Sequence, residues 1–140
     1  MLQSTIFRDL DNLSKHINKI YETIFKKYGL QRGQFVFITR IVENECISLK
    51  ELAAQIRVDK TTVTKAIQKL DSAGYIIKII DKLDNRIIHL MPTEKAFTTY
   101  TEIITEKNKI LQSVFANFTS LEIDSFITML NSLNNCLDNI

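Results

Sequence analysis

Between Asp59 and Asp71 the chain gathers Lys60, Thr61, Thr62, Thr64, Lys65, Gln68 and Lys69. Amines of this kind pair with phosphates, and hydroxyl and amide groups exchange hydrogen bonds with base edges. A second group follows in Asp81-Lys82-Leu83-Asp84-Asn85-Arg86, where Lys82 and Arg86 are flexible cations able to enter a groove and Asp84 lies between them. A single helix that displays Lys, Thr and Gln is most often a solvated surface. Here three features argue for more. Thr is a mediocre helix former, so Thr61, Thr62 and Thr64 at a helix start point to use of their hydroxyls. The turn before them is short, and a second cationic group follows directly.

These groups need elements to hold them. Ser48-Leu49-Lys50-Glu51 is a capping box, with Ile47 and Leu52 as its hydrophobic staple. The helix it opens buries Leu49, Leu52, Ala53 and Ile56 and must yield by Val58, because Asp59 is a good N-cap for a second helix. In that second helix Val63, Ala66, Ile67, Leu70 and Ala73 form the inner stripe, and Gly74 supplies the C-terminal cap. The β-branched runs 75–80 and 87–91 then flank the polar connection as a hairpin, which Pro92 ends.

Longer helices frame this centre. Ile6, Leu10, Leu13, Ile17, Ile20 and Ile24 alternate at spacings of four and three, with Phe7, Tyr21, Phe25 and Tyr28 widening the stripe and Gly29 as a stop. A helix from Gly33 to Glu45 buries Phe35, Phe37, Ile38, Ile41 and Val42. After the hairpin, Thr93 caps a long helix with Phe97, Tyr100, Ile104, Leu111 and Phe115 on one side. Thr119-Ser120-Leu121-Glu122 opens the last helix, which carries Ile123, Phe126, Leu130, Leu133, Leu137 and Ile140. The expected fold class is mainly α with a small β-hairpin (α+β): a winged helix-turn-helix head plus long N- and C-terminal helices.

At 140 residues with 45% hydrophobic content, the chain fits one compact domain with a real core. The single Pro and three Gly are scattered, so no linker separates lobes. The start, Met1-Leu2-Gln3-Ser4, lacks a basic region followed by an apolar run, and polar residues interrupt every apolar segment short of a membrane span, so a cytoplasmic protein without membrane association is expected. A net charge of +2 is too small to establish nucleic-acid binding by itself. Cys46 and Cys136 form no CxxC or Cys/His cluster, and His16 and His89 stand alone in the sequence, so no metal and no cofactor is expected. No nucleophile elbow, phosphate-binding glycine loop or carboxylate pair supports an enzyme.

From Leu30 to Ala96 the sequence resembles the MarR family of winged helix-turn-helix transcriptional regulators. Leu30 and Gln34 match the start of the family's second helix, Leu49-x-x-Leu52-Ala53 its first reading helix, and Thr62-Val63-Thr64 its recognition helix. Leu70-Asp71-x-x-Gly74-Tyr75-Ile76 matches the helix-to-strand junction, Asp84-Asn85-Arg86 the Asp-x-Arg of the wing, and Thr93 the residue that closes it. Pro92 and Ala96 depart from the usual Leu and Gly, at the exit of the wing rather than at the reading face. The resemblance implies that Arg86 contacts DNA while Asp84 orients the loop. It also implies a homodimer acting on double-stranded DNA, and by analogy a small aromatic or apolar acid as effector, with Tyr21, Phe25, Arg40 and Tyr100 as candidate lining. Relatives that sense peroxide use a cysteine in the first helix, and none precedes Cys46 here.

Organisation follows from these readings: residues 30–96 form the DNA-binding lobe of a single domain, 1–140, while 1–29 and 97–140 supply dimerisation helices. A helix over 6–28 would be roughly 34 Å long at 1.5 Å per residue, more than a small head can cover. Ile6, Leu10, Leu13 and Ile17 are therefore expected to meet Ile123, Phe126, Leu130, Leu133 and Leu137 in a shared interface, with an intramolecular bundle as the alternative. A twofold protein can read a palindromic operator, which favours the dimer; a repressor role is what the resemblance to the family implies. Two other readings remain open: a winged-helix protein-interaction module and a metal-responsive winged-helix repressor.

Overall fold

A computed structural model describes residues 4–140; Met1, Leu2 and Gln3, which begin the expected N-terminal helical region, lie outside the described residues. The order of elements is α1 (Thr5–Lys26), α2 (Arg32–Glu43), β1 (Ile47–Ser48), α3 (Leu49–Ile56), α4 (Lys60–Ser72), β2 (Ile76–Ile80), β3 (Ile88–Pro92), α5 (Glu94–Val114) and α6 (Ser120–Asp138). This is the mainly helical α+β architecture expected, with one strand more than the hairpin. Two compact units are formed, one reaching Ile104 and one running from Thr105 to Ile140. Among the described residues, no helix is long and apolar enough to cross a membrane.

The added strand, β1, pairs antiparallel with β3 through Ile47 opposite Leu90 and Ser48 opposite His89. Strand order is β1-β3-β2, so β3 is central. Two residues are too few for any alternation to show in sequence, and Ile47 reads equally well as the staple of the following helix. It serves both ends, because Ile47 and Leu52 are each buried. Only half of the expected capping box is found at this start: the Ser48 hydroxyl accepts the Glu51 N–H at 3.1 Å. Pro92 does not stop β3 short but is its last residue, opposite Ile76. A proline is tolerated at a strand end, where it gives up no interior ladder bond.

The core of the first unit lies beneath the sheet and between the helices. Ile38 and Ile41 from α2, Leu52 from α3, Val63, Ile67 and Leu70 from α4, Leu90 from β3 and Ile103 from α5 are all at least 99% buried. Of the expected inner positions, Leu49, Ala53, Ile56, Ala66 and Val42 are only half-buried, and Ala73 is exposed. On α5 the covered row is Ala96, Thr99 and Ile103, one position back from the expected stripe, whose Phe97 and Leu111 are exposed. Ala96 at its start and Thr99 a turn later are both buried. In the second unit α6 has its full capping box at Thr119 and Glu122 but no buried residue, while Phe115 meets Phe118 and Phe126.

The hairpin therefore has two unlike faces, and truncations on them should differ. Leu90→Ala removes a fully buried side chain and should lower unfolding stability by about 2 to 5 kcal/mol. Ile77→Ala, on the face that is half open, should cost about 1 kcal/mol or less. Urea titrations of both variants at one protein concentration check the ordering, and equal losses would contradict the register described.

Candidate nucleic-acid interface

The helix-turn-helix starts from a left-handed turn. Arg57 ends α3 with φ 61, and the N–H groups of Arg57 and Val58 both reach the Ala53 carbonyl. That conformation disfavours a residue with a Cβ, so the turn is held by the helices it joins rather than by local preference. Asp59 then caps α4, its carboxylate accepting the Thr62 N–H at 2.7 Å. This bond is the main reason its carboxyl is held below the ordinary carboxylate range. At the far end Gly74, φ 82, closes the helix as Tyr75 N–H returns to the Leu70 carbonyl.

Burial of Val63, Ile67 and Leu70 sets the rotation of α4. Lys60, Thr61, Thr62, Lys65, Gln68 and Lys69 are exposed as a result, and Thr64 is half-buried. The Thr64 hydroxyl donates to the Lys60 carbonyl at 2.8 Å. Without rearrangement it offers an incoming duplex acceptor capacity only. The arrangement thus combines cations for phosphates with amide and hydroxyl groups for base edges on one surface.

The wing is more ordered than its polar sequence suggested. Arg86 forms a fork with Asp84, Nε and Nη2 donating to the two carboxylate oxygens at 3.1 Å each, and its backbone N–H donates to the same carboxylate. The guanidinium pairing is the leading cause of the lowered Asp84 pKa. The Arg86 side chain nevertheless stays 87% exposed, so the pair aims the cation outward without enclosing it. Lys82 is exposed in the same loop.

Three contributors were not legible beforehand. Asp81 accepts the N–H groups of Leu83 and Asp84 with Oδ2 and contacts His89 Nε2 with Oδ1. His89, which reads as an isolated histidine in sequence, has both ring nitrogens engaged, the other meeting the Cys46 carbonyl. Lys95 donates to the Ala73 carbonyl at the end of α4 and lies over the Tyr75 ring at 4.4 Å. Each contact joins residues distant in sequence or hidden among ordinary polar ones. Only Asp81, two residues before a backbone it could cap, carried a local signal.

The expected effector residues divide. Tyr21 stacks on Phe25, Phe25 meets Phe35, and Phe35 stacks on Tyr100, whose hydroxyl donates to Glu43. Burial, then that hydrogen bond, raises the Tyr100 pKa. Tyr21 and Phe25 line an open hollow of about 620 Å³ together with Lys26, Leu30 and Arg32. Arg40 is exposed and is not among its lining residues; the guanidinium over Tyr21, at 4.6 Å, is that of Arg32, which also bonds Asn18. The expected interface residues are left open: Ile6, Leu13, Ile17, Phe126 and Leu137 are exposed, while Leu10, Ile123, Leu130 and Leu133 are half-buried. Among the described residues no group of three or more His, Cys, Asp or Glu side chains is placed to hold a metal ion.

Comparisons with known proteins agree with this fold. A model of the MarR family matches residues 30–88. The HTH-type transcriptional regulator YybA of Bacillus subtilis is 33% identical over 126 residues, 90% of this chain and 84% of that protein. A MarR protein of Peptoclostridium difficile superposes with a TM-score of 0.81 at 42% identity, over 99% of this chain and 91% of that one. A MarR family regulator of Listeria monocytogenes, solved with a 26mer DNA, superposes with a TM-score of 0.80 at 30% identity, again over 99% and 91% of the two chains.

Because, among the described residues, Arg86 bonds only to Asp84 in its own loop, Arg86→Ala should leave global stability within about 0.5 kcal/mol. A urea midpoint well below that of the unmodified protein would mean that the wing cation carries packing as well.

Proposed function

The chain belongs to the MarR family of HTH-type transcriptional regulators, and we propose that it is a repressor that reads a palindromic operator in double-stranded DNA as a homodimer. It works in the cytoplasm by binding, not by catalysis. The observation that carries this reading is the division of α4, whose buried row of Val63, Ile67 and Leu70 leaves Lys60, Thr61, Thr62, Lys65, Gln68 and Lys69 facing outward. In this reading Thr62, Thr64, Lys65 and Gln68 meet base edges in the major groove, and Lys60 and Lys69 meet phosphates. Lys82 and Arg86 reach an adjacent groove, held by Asp84.

The homodimer is supported by what α1 and α6 leave uncovered. Ile6, Leu13 and Ile17 on α1 are 44 to 50% exposed, and α6 carries Phe126, Ile127, Met129 and Leu137 at 37 to 61%. Such seams are costly in water, and a second copy of the chain is the occupant that makes them an interface. Residues 1–29 and 97–140 are then the dimerisation segments around the lobe 30–96. A small aromatic or apolar acid entering the hollow beside Tyr21 and Phe25, its carboxylate drawn to Lys26 and Arg32, is the proposed effector that releases DNA.

Selection of bound sequences from a random duplex library tests the reading as a whole. The selected site should contain inverted half-sites about one helical turn, roughly 34 Å, apart. Failure to enrich any sequence would reject specific readout. On the selected duplex, Gln68→Ala and Thr64→Ala should relax base preference, at about 1 to 3 kcal/mol for each lost base contact. Lys60→Ala and Lys69→Ala should weaken all sequences alike and flatten the salt dependence of binding. Identical effects of the two pairs would contradict the division of roles.

Light scattering checks the dimer. The DNA-free protein should be dimeric at micromolar concentration, whereas Leu133→Glu, which puts an unpaired charge into the proposed interface, should give monomer or aggregate. A monomeric unmodified protein would overturn the assembly.

A further inference from the structure

His89 lies between two hydrogen-bond acceptors. Its Nδ1 is 2.9 Å from the Cys46 carbonyl oxygen, in the turn before β1, and its Nε2 is 2.9 Å from Asp81 Oδ1, where β2 gives way to the wing loop. A carbonyl has no hydrogen to donate, and neither does an ionised carboxylate. A neutral imidazole carries one N–H and can satisfy only one of them, whereas an imidazolium satisfies both. The second Asp81 oxygen accepts the N–H groups of Leu83 and Asp84, each at 3.0 Å, and the Asp81 N–H donates to the Ile87 carbonyl at 2.9 Å. One ring thus ties the backbone at Cys46, itself left-handed at φ 58, to the carboxylate that shapes the loop carrying Arg86.

We propose that His89, as an imidazolium, is the positioning residue of the wing: it clamps Asp81 and the Cys46 carbonyl, holds the loop that presents Arg86, and makes DNA affinity fall as pH rises through its titration. The proposal rests on the reading that the wing contacts DNA.

The surroundings of the ring favour the charged form. Asp81 faces it from the end of β2, and Glu51 on α3 acts on it through space. Across the ladder, Ile79 on β2 and Ser48 on β1 are its opposite residues, and neither titrates. The Cys46 thiol is directed to the Met91 sulfur at 3.1 Å, not to the ring. The Asp81 hydrogen bond first, and the Cys46 carbonyl second, hold the His89 pKa above its ordinary 6.5 against a smaller opposing effect of burial. The His89 bond, and then the two loop N–H groups, hold Asp81 below its ordinary 3.8. The signs follow by linkage. The His89 contribution is fully present below the ordinary imidazole value and is lost as pH rises through the raised one. The Asp81 contribution is present above its ordinary value and is lost only as pH falls through the lowered one. The clamp therefore weakens as pH rises past the ordinary imidazole value and through the raised one, and persists in weak acid.

Two variants separate this role from a merely structural one. In Asp81→Asn the amide oxygen can keep the Leu83 and Asp84 N–H groups while its NH₂ donates to a neutral ring, so imidazolium is no longer required. His89→Gln removes the titration. Binding to the selected duplex, followed by fluorescence anisotropy from about pH 6 to about pH 8.5 at constant ionic strength, should weaken by about two- to ten-fold for the unmodified protein, the worth of one hydrogen bond. The fall should vanish in His89→Gln, and vanish or reverse in Asp81→Asn. A fall retained in His89→Gln would assign it to another group and overturn the proposal.

Imidazole NMR of the DNA-free protein, with the His89 signals assigned by their loss in His89→Gln, supplies a readout independent of DNA. A titration above the ordinary histidine value that drops in Asp81→Asn is expected, and one at or below that value overturns the clamp. Arg86→Ala distinguishes the two levels of inference. Undiminished DNA affinity in Arg86→Ala would fail the wing-contact reading itself. Weakened affinity there, with the pH profile of His89→Gln unchanged from that of the unmodified protein, would leave the wing in contact with DNA and remove His89 as its positioning residue.

Discussion

The burial of one row of side chains on α4 decides what the rest of this molecule can do. Val63, Ile67 and Leu70 are 99% or more buried, in the same core as Leu52 of α3 and Ile38 and Ile41 of α2. A helix turns about 100° per residue, so once that row is committed inward the positions between have no rotational freedom. The polar face is thus oriented by apolar residues that never meet a ligand. Each Leu or Ile in such a row is worth roughly 1.5 to 3 kcal/mol of transfer from water, whereas a solvated Thr or Lys contributes little to stability. The candidate reading face can therefore be chosen for chemistry because the other face holds the helix.

A different economy governs the wing. β2 and β3 are anchored by Ile76 and Leu90, but the loop between them contains no buried side chain to hold it. Its order comes from carboxylates: Asp81 on two backbone N–H groups and the His89 ring, and Asp84 on Arg86. Hydrogen bonds of this exposure are individually modest, and they are screened by water and salt. Several of them closing on one short loop restrict it more than any one would. The fork between Asp84 and Arg86 also pre-orients the guanidinium, so a contact with a groove does not have to overcome the full rotamer entropy of a free arginine.

The long helices pose the opposite problem. α1 and α6 are well-formed elements, the latter with a complete capping box, yet α6 has no buried residue and α1 only Ile24 and Phe25 near its end. Their apolar residues are too many and too regularly spaced to be surface decoration. Cover for these seams from a second chain would make stability depend on protein concentration, because folding and association then share the same buried surface.

Local chemistry was sufficient for much of this. The caps at Ser48, Asp59 and Thr119, the stop at Gly74, the two strands of the hairpin and the inner positions 63, 67 and 70 were all legible, because capping, turn preference and periodicity operate within a few residues. So was the candidate reading face, which is the complement of that inner row. Tertiary structure alone decided what depends on long-range contact. β1 is a strand only because β3 lies beside it, and α5 buries the row at Ala96, Thr99 and Ile103 because the core it meets selects among several apolar faces. Arg32 rather than Arg40 stands over Tyr21 because α2 begins beside α1. His89 is the plainest case. Its two partners lie 43 and 8 residues away, Cys46 in the turn before β1 and Asp81 at the end of β2. No spacing along the chain encodes an imidazole between two acceptors, since that geometry exists only once the central strand of the sheet is in place.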